Sequence, residues 1–452
     1  MYKPANTDII IIGGNAAGAA AAARAKRKAP KRNVFILEAS PYFSTATCDI
    51  PYVVSEEIKS PRELLHFTPE RFLLEKNVEV SVNTQVVGID TKAKQVLYRS
   101  AQSTSEHAVG YSSLVLATGS VARDPYQLAG KYTNHFFLKS VEDLERLVHF
   151  TASIAGKNVI ILGAGYIGLE AAEGFVKKGF SVTIIDQAAL PLNNQDIEVS
   201  QKVAEILKLQ TQIDVFFGVK TLKFFGNNAI TKISADGRLL ECDIVISALG
   251  VSPNTELAKS AGIKLGVTGA VKVSSKTETS VDKIYAAGDC CEITDAVTGQ
   301  PVYRPLATTA RAMGWVAGEN AAGGREVFAP RITSSGFRLF SSFVAFTGVT
   351  EFQAKNRGLI TQSVSAEVGR LVPFFAKRHE TTFGRLVVEK NTHRLLGASF
   401  IGGKEVAGLT DMATLLIQQK LPVTVLKDMS FVYSPPLAPF THLLSILSKK
   451  LF

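Results

Sequence analysis

The feature that most constrains this chain of 452 residues is a sequence unit that occurs twice. In the first copy an apolar run is followed by a glycine-rich turn from Gly13 to Gly18, and an alanine-rich helix follows the turn. A second apolar run then leads to Glu38. The first glycine makes a tight turn, the last lets helix and strand pack closely, and the helix N-terminus faces a pyrophosphate. Glu38 stands where a carboxylate meets a ribose hydroxyl. Asn15 replaces the usual middle glycine, so this copy alone is a weak signal.

The second copy carries the complete glycine pattern. Residues 158–162 are its apolar run, Gly163, Gly165 and Gly168 form its turn, and Asp186 ends the next apolar run. Two such units about 150 residues apart indicate two dinucleotide sites in one chain. We therefore predict an α/β fold that contains two Rossmann-like dinucleotide-binding domains.

Composition and charge exclude several other classes. The chain is 46% apolar and 20% charged, which is typical of a folded protein with large cores. The net charge of +10 comes from scattered basic residues, with only short clusters such as residues 26–28, so we do not expect nucleic acid binding. No run of eighteen apolar residues occurs and the chain enters a strand without a leader pattern, so we expect a cytoplasmic protein without membrane association. The four cysteines fit neither a metal site nor a disulfide framework.

Two further segments, residues 114–119 and 284–289, stand in the order found in flavoprotein disulfide reductases. Over essentially its whole length the chain resembles that family. The resemblance implies FAD on the first unit and NADH, with NADPH as an alternative, on the second, while Asp289 bonds the ribityl chain of the flavin. The implied cofactor-binding residues are Gly13, Asn15, Gly18, Glu38, Ala117, Thr118, Gly119, Gly163, Gly165, Tyr166, Gly168, Glu170, Asp186, Gly250, Gly288 and Asp289.

The resemblance also implies how the chain divides. Residues 1–124 and 251–324 form the FAD-binding domain, residues 125–250 form an inserted NAD(P)H-binding domain, and residues 325–452 form an α+β dimerisation domain. Alternating strand patterns and a helix from about Glu405 to Gln419 follow residue 325. A dimerisation domain implies a homodimer.

Cys48 lies in a serine- and threonine-rich turn shortly after Glu38. Position 53, where two-cysteine disulfide reductases carry the second cysteine, is valine. A single cysteine cannot close an intramolecular disulfide, so it must form a mixed disulfide, a persulfide or a sulfenic acid. This selects the single-cysteine branch of the family. We expect backbone donors and a helix N-terminus to favour the Cys48 thiolate.

The surroundings of Cys48 resemble coenzyme A-disulfide reductases and their persulfide-reducing relatives. NADH oxidases and peroxidases carry a histidine in the first glycine-rich turn, where this chain has Ala16. The segment Tyr433-Ser434-Pro435-Pro436 also matches the coenzyme A group, and the resemblance implies that Tyr433 reaches across the dimer as a proton donor. Cys48 and Tyr433 are therefore the predicted catalytic residues.

Substrate contacts are less well specified by the sequence. Basic side chains on the first helix, Arg24, Lys26 or Arg27, are candidate anchors for the phosphates of coenzyme A, with Ser44 and Thr47 as further candidates. Two tyrosines of the relatives are replaced by Phe374 and Phe375, and Thr47 and His442 replace an asparagine and an aspartate.

Two alternatives stay open. The chain could be an NADH oxidase or peroxidase, or an electron-transfer flavoprotein that reduces ferredoxin or a quinone and uses the apolar and basic tail 442–450 at a membrane surface. The tail could equally be an interface helix. Asp186, with no arginine before Pro191, predicts NADH in preference to NADPH.

Overall fold

The computed structural model describes residues 7–101, 105–371 and 380–452. The helices are α1 (Ala16–Lys28), α2 (Ile50–Val54), α3 (Pro69–Lys76), α4 (Val141–Ser153), α5 (Tyr166–Lys177), α6 (Ile197–Lys208), α7 (Glu256–Ser260), α8 (Ala307–Ala321), α9 (Glu351–Lys355), α10 (Glu405–Gln418) and α11 (Leu443–Lys449). The strands are β1 (Thr7–Ile12), β2 (Val34–Leu37), β3 (Glu79–Ser81), β4 (Thr84–Asp90), β5 (Gln95–Ser100), β6 (Glu106–Leu116), β7 (Ser120–Ala122), β8 (His135–Phe137), β9 (Asn158–Leu162), β10 (Ser181–Asp186), β11 (Ile213–Phe217), β12 (Leu222–Phe225), β13 (Lys232–Ala235), β14 (Arg238–Glu241), β15 (Ile244–Ser247), β16 (Val251–Pro253), β17 (Ile284–Ala286), β18 (Ile293–Thr294), β19 (Pro301–Val302), β20 (Ser334–Leu339), β21 (Ser342–Gly348), β22 (Thr361–Gly369), β23 (Thr381–Glu389) and β24 (Leu395–Gly402).

The first sheet is a parallel layer in the order β3-β2-β1-β6-β17, with β5 and β4 added antiparallel along the first half of β6. Its central strand β1 contains the buried Ile9, Ile10 and Ile11, because a parallel sheet is covered on both faces and needs a continuous apolar run. The first glycine-rich turn follows at the carboxyl end of β1, where ligands bind in folds of this kind.

The second sheet repeats this plan. Its strands run parallel in the order β11-β10-β9-β15-β8, and the antiparallel β12-β13-β14 lies between β11 and β15 in the sequence. The short strands β7 and β16 pair antiparallel with each other where the chain leaves and re-enters the first part of the fold. The predicted domain edges near residues 125 and 250 fall beside this pair.

The third sheet is antiparallel, in the order β20-β21-β24-β23-β22, with α10 packed on β24 and β21. The prediction of an α/β chain with a C-terminal α+β region is confirmed, and the predicted helix after Glu405 is α10. Phe374 and Phe375 lie outside the described residues.

Helices α1 and α8 pack unusually closely. A Cβ atom at Gly314 would lie 2.1 Å from the carbonyl oxygen of Ala17, and one at Gly318 would lie 2.0 Å from that of Ala21. The alanines of α1 and these glycines of α8 therefore let two backbones meet, which fixes the helix that opens at the first glycine-rich turn.

The C-terminal tail packs into the third sheet. Leu443, Leu444 and Leu447 of α11 are buried in the cluster formed with β22 and β23. The apolar face of the tail is thus covered by the chain itself, so the membrane-surface role considered for it is wrong for this conformation. Among the described residues, no helix has the length and apolar character needed to cross a bilayer.

Candidate active site

The first glycine-rich turn is held by contacts that exclude side chains. Gly13 has a φ of +97°, and a Cβ there would lie 2.2 Å from the carbonyl oxygen of Ala117. A Cβ at Gly18 would lie 1.8 Å from the carbonyl oxygen of Gly13. The Glu38 carboxylate accepts hydrogen bonds from the backbone N–H groups of Gly14 at 2.6 Å and Ser40 at 2.8 Å.

The second turn repeats this geometry. Gly163 has a φ of +105°, and a Cβ at Gly168 would lie 2.1 Å from its carbonyl oxygen. The Asp186 carboxylate accepts hydrogen bonds from the backbone of Ala164 at 2.7 Å and Ala188 at 2.8 Å. The two sequence units therefore form the same backbone cradle twice, as their spacing predicts.

Both turns open into one cleft of about 2180 Å³. All the predicted cofactor-binding residues line this cleft except Gly18 and Gly168, which pack beneath the turns. Cys48 and Thr47 also line this cleft, and in the sequence they lie between the two glycine-rich turns. The cleft thus joins two dinucleotide cradles to one thiol.

Asn15 connects the first turn to the segment that carries Cys48. Its side-chain amide donates to the Thr45 hydroxyl at 3.0 Å, and its side-chain oxygen accepts the Thr45 backbone N–H at 3.1 Å. The departure from the usual middle glycine therefore has a structural role, which the sequence motif did not indicate.

Cys48 is exposed to the cleft at the centre of a single 3-10 turn, residues 47–49, that precedes α2. The surrounding protein displaces water and raises the pKa of the thiol, the carboxylates of Asp49, Glu170 and Asp289 raise it further, and Lys139 lowers it. The expectation that the protein itself favours the thiolate is therefore wrong, because acidic neighbours and burial outweigh the N-terminus of the five-residue α2.

Asp289 and Lys139 face the same part of the cleft. Asp289 accepts a hydrogen bond from the Ser120 hydroxyl at 3.0 Å, and the Lys139 ammonium lies 4.0 Å from its carboxylate. Lys139 lowers the pKa of Cys48, and because it lies about ninety residues away in the chain its proximity could not be deduced from the sequence.

Glu170 and Tyr52 form a second polar group in the wall beside Cys48. Burial raises the pKa of the Glu170 carboxyl to about 8, Glu173 adds to this, and Arg338 and a hydrogen bond from the Tyr52 hydroxyl oppose it. Tyr52 is within the motif around Cys48, yet its proximity to Glu170 could not be deduced from the sequence.

Of the predicted catalytic and substrate-binding residues, Tyr433, Ser44 and Arg24 do not line the cleft of the single chain, and neither do Lys26 and Arg27. Tyr433 has 48% of its surface exposed and packs its ring edge-on against Phe440. Ser44 instead bonds through its backbone to Gly14 and His66. The Arg24 guanidinium pairs with Glu319 at 2.7 Å, so it is not a free phosphate anchor.

The remaining cysteines are buried. Cys242 lies under the second sheet, and Cys290 and Cys291 lie beside Asp289 with their sulfur atoms 3.7 Å apart. Among the described residues no cluster of histidine, cysteine and acidic side chains could hold a metal ion.

Comparison with known proteins agrees with this geometry. Residues 7–314 match the model of the pyridine nucleotide-disulphide oxidoreductases, and residues 336–443 match the dimerisation domain of the same proteins. The chain belongs to the pyridine nucleotide-disulphide oxidoreductase family.

Relatives within this oxidoreductase family match along almost the whole chain. A CoA-dependent NAD(P)H sulfur oxidoreductase of Pyrococcus furiosus is 32% identical over 98% of both chains. A coenzyme A disulfide reductase of Staphylococcus aureus is 25% identical over 98% of this chain and 99% of its own. The structure of an NAD-dependent persulfide reductase from A. fulgidus superimposes with a TM-score of 0.92 at 30% identity, covering 98% of this chain and 82% of that one.

The family depends on FAD and NAD(P)H, and the residues of this oxidoreductase suit both. A Cβ atom at Gly13 would meet the backbone of Ala117 and one at Gly163 that of Ala248, so both positions keep the tight turn that a dinucleotide-binding unit needs. The Tyr303 side chain also lines the cleft, with its buried hydroxyl near Ser120 and Asp289. The matched dimerisation domain indicates a homodimer.

Proposed function

We propose that this chain reduces coenzyme A disulfide, or a related persulfide or polysulfide, with NAD(P)H as reductant and Cys48 as its single redox cysteine. One observation carries the proposal: an accessible thiol lies in the wall of the cleft that both dinucleotide cradles share, and the other three cysteines are buried. The names of the relatives support a substrate that contains a sulfur–sulfur bond.

The sulfur chemistry starts at Cys48. Its thiolate attacks the substrate disulfide, which forms a mixed disulfide with Cys48 and releases the first thiol. FAD, when bound, passes two electrons from the nicotinamide to this sulfur. The mixed disulfide is then cleaved to the Cys48 thiolate and the second thiol. Lys139 favours the ionised form of Cys48 that begins the cycle.

We infer that Tyr433 completes the site from the other subunit of the dimer. Its exposed position outside the cleft of its own chain supports a role in trans, and its hydroxyl would protonate the first departing thiol. Arg27 remains a candidate anchor for a phosphate of coenzyme A because it is exposed, whereas Arg24 is paired with Glu319 and Lys26 donates to the backbone oxygen of Arg32.

Turnover of the FAD-loaded dimer with NADH, measured anaerobically except where oxygen is the acceptor, tests the proposal. Coenzyme A disulfide, coenzyme A persulfide, polysulfide and oxygen are offered separately, and NADH consumption and thiol formation are measured. We expect at least one sulfur compound to exceed oxygen in kcat/KM. Faster turnover with oxygen than with every sulfur compound would support the oxidase alternative, which the absence of a histidine at Ala16 disfavours.

Cys48→Ser tests the role of the thiol. We expect it to retain FAD and its reduction by NADH but to lose disulfide reduction, because only the sulfur relay is removed. Cys242→Ala removes a buried thiol far from the cleft and should behave as wild type. Disulfide reduction that survives in Cys48→Ser would contradict the mechanism.

A further inference from the structure

The wall of the cleft beside Cys48 contains a carboxyl group that the cycle above does not use. Glu170 lies one turn after Tyr166 on α5, and Tyr52 lies one turn after Cys48 on α2. Gly174 brings the two helices together, because a Cβ there would lie 3.0 Å from the Val54 side chain. The phenol and the carboxyl group thus lie on two helices in direct contact, and the thiol lies in the turn that precedes α2.

A second, small cavity of about 10 Å³ lies behind this wall. Its polar lining includes Glu170, Tyr52, Glu173 and Arg338. The volume of the cavity is close to the minimum that one water molecule requires. Arg338 fixes the back of the cavity, since its Nε lies 2.7 Å from Glu173 and its guanidinium lies 5.1 Å from the Tyr52 ring. Glu170 therefore has a polar route on the side away from the substrate.

The charges around Glu170 favour its protonated form. Burial raises its pKa to about 8, and the negative charges of Glu173 on its own helix and Asp49 beside Cys48 act in the same direction. Arg338 of β20 and the Tyr52 hydroxyl of α2 act in the opposite direction and do not restore the ordinary value. At neutral pH the carboxyl therefore holds a proton next to a thiol that must change its protonation state.

We propose that Glu170, through the Tyr52 hydroxyl, is the proton source for the second thiol, the one released when the mixed disulfide on Cys48 is reduced. This inference rests on the proposed disulfide reduction. It assigns the two protons of the cycle to separate groups: Tyr433 of the other subunit serves the first thiol, and Glu170 of the same chain serves the second.

The atoms and electrons balance. Cys48 thiolate and the disulfide RSSR′ take one proton and give the mixed disulfide and R′SH. The mixed disulfide takes two electrons and the proton of Glu170, which breaks its S–S bond and gives the Cys48 thiolate and RSH. Oxidation of NADH to NAD⁺ releases two electrons and one proton, and that proton returns to Glu170. The sum is NADH, RSSR′ and one solvent proton giving NAD⁺ and two thiols.

Quenched-flow measurement of thiol release distinguishes the two protonation steps. FAD-loaded enzyme with a free Cys48 thiol and oxidised flavin is mixed with coenzyme A disulfide, the first thiol is counted, NADH is added, and the second thiol is followed. We expect Glu170→Gln to release the first thiol at the wild-type rate and the second at least about a hundredfold more slowly. Tyr52→Phe should show the same selective loss. Glu56→Gln, which removes an exposed carboxylate paired with Lys178 on the same helix contact, is the matched control and should match wild type in both phases.

The pH dependence supplies a second criterion. In wild type the second phase should slow as pH rises through about 8, the pKa of Glu170, and this limb should vanish in Glu170→Gln. NADH reduction of the flavin without disulfide is measured separately. If Glu170→Gln slows only that step, or keeps the alkaline limb of the second phase, the proposal is overturned. If wild type forms no thiol from any disulfide, the proposed function itself fails.

A stability measurement tests the protonated state without catalysis. A carboxyl whose folded pKa exceeds its unfolded pKa destabilises the folded protein progressively as pH rises between the two values. The free energy of unfolding of Glu170→Gln, relative to wild type, should therefore increase between about pH 5 and pH 8 and then level off. A difference that is constant with pH would mean that Glu170 is ionised at neutral pH, and would overturn the proposal.

Discussion

Two carboxylates, Glu38 and Asp186, occupy equivalent positions and make equivalent contacts. Each accepts two backbone N–H groups, one from its glycine-rich turn and one from the residue two positions further on. The contacts fix the orientation of each carboxylate at the rim of the cleft, where a ribose hydroxyl can be bonded and a phosphate is repelled. We therefore expect single residues to determine the choice of cofactor.

Asp186 should make NADH the preferred reductant. Its negative charge repels a 2′-phosphate, and a like-charge contact of this kind is worth about tenfold or more in kcat/KM. We expect Asp186→Ala to narrow the preference by lowering kcat/KM for NADH more than for NADPH. Asp214→Asn on the neighbouring strand, which does not line the cleft, is the control. Steady-state kinetics with both cofactors decide the matter, and a wild-type preference for NADPH would refute this role.

At the scale of elements, the contact between α1 and α8 determines how precisely the first cradle is built. Gly314 and Gly318 place the backbone of α8 directly on the backbone of α1, and α1 begins at the first glycine-rich turn. Any added methyl group must separate the two helices, because backbone atoms cannot rotate away as a side chain can.

Gly314→Ala should therefore destabilise the protein despite the better helix propensity of alanine. We expect a loss of about 1–3 kcal/mol in the free energy of unfolding and weaker retention of FAD. Gly408→Ala in α10 is the matched control, since a Cβ there meets nothing within 4 Å and should be neutral or stabilising by up to about 1 kcal/mol. Thermal unfolding of both variants measures the difference in their stability. Equal melting temperatures for Gly314→Ala and Gly408→Ala would contradict the close packing of α1 and α8.

The sequence predicted the elements whose geometry is local. The turns at Gly13 and Gly163 are encoded within about twenty residues, because strand, turn and helix follow one another directly. Tyr52 and Glu170 meet only after the first and second sheets have packed together, and neither residue type identifies the other in advance. Asp49 is adjacent to Cys48 in the sequence, but Glu170 and Asp289 approach the thiol only in the folded chain, so the full acidic surroundings that raise its pKa could not be foreseen.

At the scale of the whole molecule, a buried cation joins the second sheet region to the third sheet. Arg385 of β23 pairs with Asp196 at 3.2 Å, Glu198 at 2.6 Å and Glu351 at 2.8 Å. Burial raises the pKa of Asp196 even though Arg385 opposes this. Glu351 has a second cation, Lys355 at 2.8 Å, but among the described residues Asp196 and Glu198 pair with no cation other than the Arg385 guanidinium. Its removal leaves several carboxylates facing one another.

Arg385→Gln should thus be strongly destabilising at neutral pH, by about 3–5 kcal/mol. Without the guanidinium, burial leaves the folded pKa of Asp196 further above its unfolded value, so the deficit should shrink as pH falls toward 5. Arg394→Gln, which breaks a more exposed pair with Glu389, should cost about 1 kcal/mol or less. Denaturant unfolding at pH 5 and pH 7.5 measures both variants, and an Arg385→Gln deficit that grows on acidification would contradict the cluster's role.

Substitution of Tyr433 tests whether the two subunits of the dimer form each active site together. We expect Tyr433→Phe to slow release of the first thiol about a hundredfold while NADH reduces the flavin normally. Mixing Tyr433→Phe subunits with Cys48→Ser subunits should restore part of the activity, because one site in each mixed dimer then keeps both residues. Failure to recover activity after proven subunit exchange would place Tyr433 outside the chemistry of the partner's cysteine.

The pairing of β7 with β16 has a consequence for synthesis on the ribosome. All five strands of the second parallel sheet, from β8 to β15, lie between these two strands in the chain. The first parallel sheet needs β17, which pairs with β6 but is translated about 170 residues after it. The inserted sheet therefore has every strand available before the sheet that surrounds it can close. Nascent chains that end near residue 255 would carry a complete inner unit within an unfinished outer one.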